Sequence, residues 1–164
     1  MLLKEINLKN SSKILDAGCG TGNFLEILSV NKTLELYGID ISPRMLEIAK
    51  KKLKNKAKLN LIDVEKIGYR NKFDYIFSIE AFHHFSNQEI VMRKFFNALK
   101  KKGKLMIVDF DFSLVLNWIF HIIEPGNSKM NSKKDFHNLF KKHNFKNIKQ
   151  KRFFVFVVMT LGEK

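Results

Sequence analysis

Short, continuously apolar runs alternate along this chain with longer segments whose apolar residues return at helical spacing. The first kind suits parallel strands covered on both faces, the second amphipathic helices. In order, the pattern predicts a strand over Lys13–Ala17, a helix over about Asn23–Val30 and a strand over Leu34–Asp40. A helix follows over about Pro43–Leu53, with Leu46, Ala49 and Leu53 on one face, then strands over Leu59–Ile62 and Phe73–Ile79, the latter with Asp74 near its start. Ser86-Asn87-Gln88-Glu89 reads as a capping box. The helix it opens carries Val91, Met92, Phe95, Phe96 and Leu99 and closes on Lys100, Lys101, Lys102 and Gly103, a basic last turn followed by glycine. A strand over Lys104–Phe110 ends near Asp109.

The last third is less regular. Ser113–Glu124 reads as a helix apolar on most sides, broken at Pro125 and Gly126, and expected to lie over a cleft or against a partner. Ser132 to Asp135 caps a helix faced by Phe136, Leu139, Phe140 and His143, with Asn144 just beyond it. Phe145–Lys151 and Phe153–Leu161 read as a closing antiparallel pair of strands. The alternation implies an α/β fold: a doubly wound, Rossmann-like seven-stranded sheet, mostly parallel with an antiparallel last strand and helices on both faces. The expected organisation is one domain over residues 1–164, with a short N-terminal segment 1–12 and a cleft-covering insertion at about 111–131.

The chemistry concentrates in Asp16-Ala17-Gly18-Cys19-Gly20-Thr21-Gly22. Glycines serve where the backbone takes positive φ or where a ligand approaches closer than a Cβ allows. A dinucleotide fingerprint would put its third glycine at position 23, which is Asn23. Asp16 before the first glycine would repel a pyrophosphate and suits a cationic group such as an α-ammonium. Asp40, at the end of the second strand, follows Gly22 at close to the ~20-residue spacing at which an acid reaches ribose hydroxyls. Ser42 with Pro43 already supplies the cap of the next helix, which leaves Asp40 free for that role.

These residues resemble the first motifs of the class I S-adenosylmethionine-dependent methyltransferases. The likeness runs from Lys13 to Leu161 and includes the phrase FDYIFSIEAFHHF and the closing HNFKNIKQ; it is closest to small-molecule, quinone- or lipid-modifying members. It implies S-adenosyl-L-methionine as cofactor, held by Asp16, Ala17, Gly18, Cys19, Gly20, Gly22, Asp40, Ile41, Asp63, Val64 and Ser78. Asp63 would meet the adenine amino group, with Val64 beside it. Two departures are the short segment before the first strand, where the family usually carries a helical lid, and the short loop before the last strand.

A sulfonium methyl is already electrophilic, so alignment and exclusion of water matter most, and a general base depends on the acceptor. His83 and His84, after the fourth strand, are the candidate bases; one of them has a structural alternative at a helix start. Glu80 is a candidate for positioning substrate or cofactor. His121, His137 and His143 read as structural or surface residues, and Cys19 as a small residue in a tight turn. No clustered spacing suggests a metal site.

With 164 residues and 45% hydrophobic content the chain can hold a core. One cysteine excludes an internal disulfide framework and fits a reducing, cytoplasmic compartment. Met1–Ser12 does not read as a signal peptide, and no run approaches the ~20 apolar residues of a membrane span. The net charge of +14 suits nucleic acid or an anionic lipid surface, and follows equally from a lysine-rich compositional bias. The Asn/Asp-Pro-Pro-aromatic motif of exocyclic-amine nucleic-acid methyltransferases is missing after Ser78, which lowers the nucleic-acid reading. The expected function is therefore methyl transfer to a small-molecule or lipid-like acceptor, with peripheral membrane contact by Ser113–Glu124 a partner open to test. The alternatives are an RNA or protein methyltransferase using the basic surface, and a non-catalytic cofactor-binding subunit. Oligomeric state stays open.

Overall fold

The computed structural model describes residues 5–111, 131–154 and 156–164. The predicted helix Ser113–Glu124 and most of the expected insertion at 111–131 lie outside the described residues.

Seven strands form one sheet: β1 (Lys13–Ala17), β2 (Glu35–Asp40), β3 (Lys58–Leu61), β4 (Phe73–Ile79), β5 (Leu99–Phe110), β6 (Lys146–Phe154) and β7 (Val157–Glu163), in the spatial order β3-β2-β1-β4-β5-β7-β6. The first five run parallel. β7 enters antiparallel between β5 and β6. The α/β, doubly wound, Rossmann-like sheet with its antiparallel last strand is therefore as expected. Its order reverses between β1 and β4, and such a switch point opens a crevice beyond the strand C-termini.

Helices α1 (Asn23–Leu28), α2 (Pro43–Leu53), α3 (Gln88–Ala98) and α4 (Lys133–Lys142) bury opposite faces of the sheet. Leu25 and Leu28 of α1 and Leu46, Ala49 and Leu53 of α2 pack with Ile14, Leu36, Tyr75, Phe77 and Met106. Val91, Met92 and Phe95 of α3 and Phe136 and Phe140 of α4 pack with Leu15, Ile39, Ile76, Leu105 and Ile107 on the other face. β1, β2, β4, β5 and β7 send residues to both clusters, as the pleat requires. α2 starts where its sequence says: the Ser42 hydroxyl accepts from Met45 N and Pro43 takes the first turn. α4 carries the expected capping box, with Ser132 and Asp135 bonded reciprocally, and Asn144 follows it at φ 64°.

Four local readings change. The closing strands turn later than expected: Phe153 belongs to β6, which runs to Phe154, and β7 starts at Val157. The cap of α3 is Asn87, whose side chain accepts from Ile90 N, rather than Ser86. α3 ends at Ala98, and Lys100–Lys102 belong to β5, which pairs Leu99 with Phe73 before a register shift. Sheet pairing outcompeted a helix-end signal there: the Lys102 N–H donates to the Lys164 carbonyl, and the Gly103 carbonyl accepts from Lys164 N. α1 is also shorter than expected, ending at Leu28. No helix among the described residues is long and apolar enough to cross a membrane.

Candidate active site

At the C-terminal end of β1 the chain turns back over the sheet. Gly18 N and Cys19 N both donate to the Ile39 carbonyl of β2, at 2.9 and 3.0 Å, and Gly22 N donates to Cys19 O at 2.9 Å. Gly18 and Gly20 hold φ of 77° and 51°, where side chains are strained. The two serve different ends. A Cβ on Gly18 would lie 2.5 Å from the Ala81 Cβ, whereas one on Gly20 would meet nothing within 4 Å. Gly18 lets two loops touch, and Gly20 faces open space.

Asp40 closes the turn from β2. Its Oδ2 accepts from Gly20 N and its Oδ1 from Ser42 N, both at 2.8 Å. Asp40 is thus not free, as the helix cap alone had suggested. Both oxygens brace the glycine turn, and each keeps lone-pair capacity beyond the one bond it accepts. Asp16 differs. It is 2% exposed, and among the described residues its carboxylate has no hydrogen-bond or ion-pair partner. Burial, and then the Asp40 charge, push it up from 3.8 to about 7. Burial and the same two carboxylates push the Cys19 thiol far above its ordinary value, which removes it as a nucleophile.

A cavity of about 630 Å³ opens above this turn. It is of the size that accommodates a nucleoside with an amino-acid tail. Of the residues expected at the site, Gly18, Gly20, Asp40, Ile41, Asp63, Val64, Glu80 and His84 line it. Asp63 caps the 3-10 turn Val64–Lys66 by accepting from Glu65 N at 3.0 Å. Asp16, Ala17, Cys19, Gly22, Ser78 and His83 do not line it. Gly22 instead sits where a Cβ would press on Leu53 and Ala49 of α2. Ser78 is fully buried in β4, its hydroxyl without a partner among the described residues. Sequence reasoning missed Ile39, Met45, Ile62, Glu65, Ala81, Phe85 and Ser86 as lining residues. All but Met45 lie within two residues of Asp40, Asp63, Val64, Glu80 or His84, so neighbourhood was the available signal. Met45 carries none, because only the fold brings α2 to the cavity.

The loop after β4 is held by β5. Glu80 N donates to the Val108 carbonyl at 2.8 Å. The Asp109 carboxylate, 1% exposed, accepts from His83 N at 2.9 Å, from His83 Nδ1 at 2.6 Å and from Phe110 N at 2.8 Å. This contact fixes the proton of the neutral His83 ring on Nδ1. The His83 and His84 rings lie 3.9 Å apart between centroids, so the anchored His83 backs the cavity-lining His84. His83 therefore holds the loop instead of facing the cavity. Asp109 was missed as a site residue. An acid at a strand tip, like those ending the other strands, was the signal that could have found it.

A switch-point cavity above an acid-flanked glycine turn, with acids at successive strand tips, places the chain in the doubly wound, Rossmann-like class. The methyltransferase-domain family model matches residues 8–152, and the chain belongs to that family, in its class I S-adenosylmethionine-dependent form. It is similar to phosphoethanolamine N-methyltransferase 3 of Arabidopsis thaliana, at 32% identity over 64% of this chain and 22% of that protein. It is also similar to demethylmenaquinone methyltransferase of Thermotoga maritima, at 36% identity over 61% of this chain and 44% of that one. The chain thus spans less than half the length of either relative. Among solved structures, phosphoethanolamine N-methyltransferase 2 of Haemonchus contortus in complex with S-adenosyl-L-methionine superimposes with a TM-score of 0.86. That match has 16% identity and covers 99% of this chain and 51% of that one.

Proposed function

We propose that this chain binds S-adenosyl-L-methionine and catalyses transfer of its methyl group to a small-molecule acceptor. The observation that carries the reading is the cavity over the glycine turn, lined by Gly18, Gly20 and Asp40, with the Asp16 carboxylate buried behind that lining and without a partner among the described residues. An unpaired buried charge costs several kcal/mol, so the position makes sense when a cation arrives. The α-ammonium of the cofactor is such a cation, and Gly20 leaves room for the tail that carries it. Asp40, already oriented by Gly20 N and Ser42 N, retains the acceptor capacity that a ribose diol needs. Asp63, Val64 and Ile41 line the cavity and offer an acid and two apolar faces to an adenine.

When bound, the sulfonium supplies an electrophilic methyl carbon. The protein's part is to hold the acceptor in line with it and to keep water out. His84 and Glu80 line the cavity on the loop that Asp109 holds against β5, and are the residues available to contact an acceptor. The relatives named above take different acceptors by name, an amine phosphoester and a quinone precursor. Methyl transfer is what those names share. Titration calorimetry with S-adenosyl-L-methionine and with S-adenosyl-L-homocysteine tests the reading. One site per chain is expected for each, weakened by Asp40→Ala; absence of binding heat for both would refute it.

A further inference from the structure

The cavity is acidic in a basic protein. Asp40, Asp63, Glu65 and Glu80 line it, and no Lys or Arg does among the described residues, although the chain carries a net charge of +14. Three of these carboxylates are engaged by the protein's own backbone. Asp40 accepts from Gly20 and Ser42, Asp63 from Glu65 N, and Glu65 from Asn87 N at 2.8 Å. Glu80 is the exception: its carboxylate makes no hydrogen bond or ion pair with any described residue. It is also held at φ 50°, a conformation that costs a non-glycine residue about 1–3 kcal/mol. Its backbone bond to Val108 O and the Asp109 contact with His83 hold this segment against β5. The exposed Glu80 side chain lies on the cavity wall next to Ala81, whose Cβ closes on Gly18, and outside the 3-10 turn that carries His84.

We infer that the acceptor atom is an amine nitrogen, and that Glu80 is the group that holds it. The inference rests on the methyl-transfer reading above. Charge discriminates between acceptor classes. When a neutral amine attacks, positive charge leaves sulfur and appears on nitrogen, and a carboxylate that holds the incoming ammonium also stabilises the transition state more than the bound free amine from which it forms. When a phenolate or carboxylate attacks, opposite charges annihilate, and Glu80 would repel the nucleophile throughout. A phosphorylated acceptor would also look for cations that the described lining lacks.

In the balanced step, an ammonium R–NH3+ first loses one proton to solvent. The free amine then forms its nitrogen–carbon bond as the carbon–sulfur bond breaks. The products are R–NH2+–CH3, S-adenosylhomocysteine and the released proton. The positive charge ends on nitrogen, beside Glu80.

Two measurements test this. Calorimetry on protein loaded with S-adenosylhomocysteine would compare benzylammonium, benzyl alcohol and benzoate, which share a body and differ in charge. The expected affinity order is ammonium, then alcohol, then benzoate, with the order collapsing in Glu80→Gln while S-adenosylhomocysteine binding persists. Separately, the protein is incubated with methyl-labelled S-adenosylmethionine and a mixture of amines, alcohols, phenols and carboxylic acids, and the labelled atom is identified by mass spectrometry and NMR. Label on nitrogen is expected, lowered about 100-fold in Glu80→Gln. Label on oxygen or carbon, no product despite bound cofactor, or an unchanged order in Glu80→Gln would each overturn the inference. Loss of cofactor binding in the wild-type protein would instead overturn the underlying methyl-transfer reading.

Discussion

Replacing Asp16 by Asn should make the ligand-free protein more stable at neutral pH and less able to bind its cofactor. The magnitude follows from the carboxyl's position. Asp16 ionises near 3.8 in an unfolded chain and near 7 in the fold, because it is desolvated and lies close to Asp40. The native state therefore holds a proton that the unfolded state has lost, and stability falls as pH rises between those two values. The loss is complete above about pH 7. Three pH units at 1.36 kcal/mol each give about 4 kcal/mol, or roughly 10 °C in melting temperature for a chain of this size. Asp16→Asn removes this dependence while keeping the side-chain shape. The assay is a thermal melt of both proteins from pH 4.5 to 8 without ligand. The gap between them should widen with pH in favour of the variant, which cancels any pH-independent cost of burying the amide. Adding S-adenosylmethionine at pH 8 should raise the wild-type melting temperature and leave the variant's nearly unchanged. Parallel pH profiles would refute the claim that Asp16 is a desolvated charge awaiting a cation.

Three further outcomes are expected. Gly18→Ala places a methyl group 2.5 Å from Ala81 at positive φ, and should cost about 2–4 kcal/mol in denaturant melts. Gly20→Ala meets no neighbour; it should cost about 1–2 kcal/mol of stability yet reduce cofactor affinity more than Gly18→Ala reduces it per unit of lost stability, by calorimetry. Asp109→Ala removes the carboxylate that accepts from the part-buried His83 and Phe110 backbone N–H groups and from the His83 ring; it should destabilise by about 3 kcal/mol in the same melts, whereas His83→Ala costs less because the backbone bonds to Asp109 survive.

Much of this architecture was legible in the chain itself. β1, β4 and α2 fall on their expected residues, because a buried parallel strand must be apolar throughout and because Ser42 and Pro43 mark a helix start unambiguously. The errors share a cause. Lys100–Gly103 satisfied the local rules for a helix terminus, but those residues had a better use in pairing β5 to its neighbours. Asp40 looked free because its partner Gly20 N sits in another loop, and local spacing cannot reveal such a bond. The engagement of His83 by Asp109 depends on two strand tips meeting side by side, which only the folded sheet arranges. Single acidic residues at strand ends were readable; the division of labour among them was not, since it depends on which backbone N–H groups the closed turn presents.

The contrast in sign between cavity and exterior has a kinetic consequence. A ligand bearing positive charge meets repulsion from the protein as a whole before it feels the carboxylates at close range. Added electrolyte screens the distant repulsion first, because the screening length near 0.1 M is about 10 Å. Encounter with such a ligand should therefore quicken with ionic strength, opposite to the behaviour of enzymes that steer their substrates by attraction.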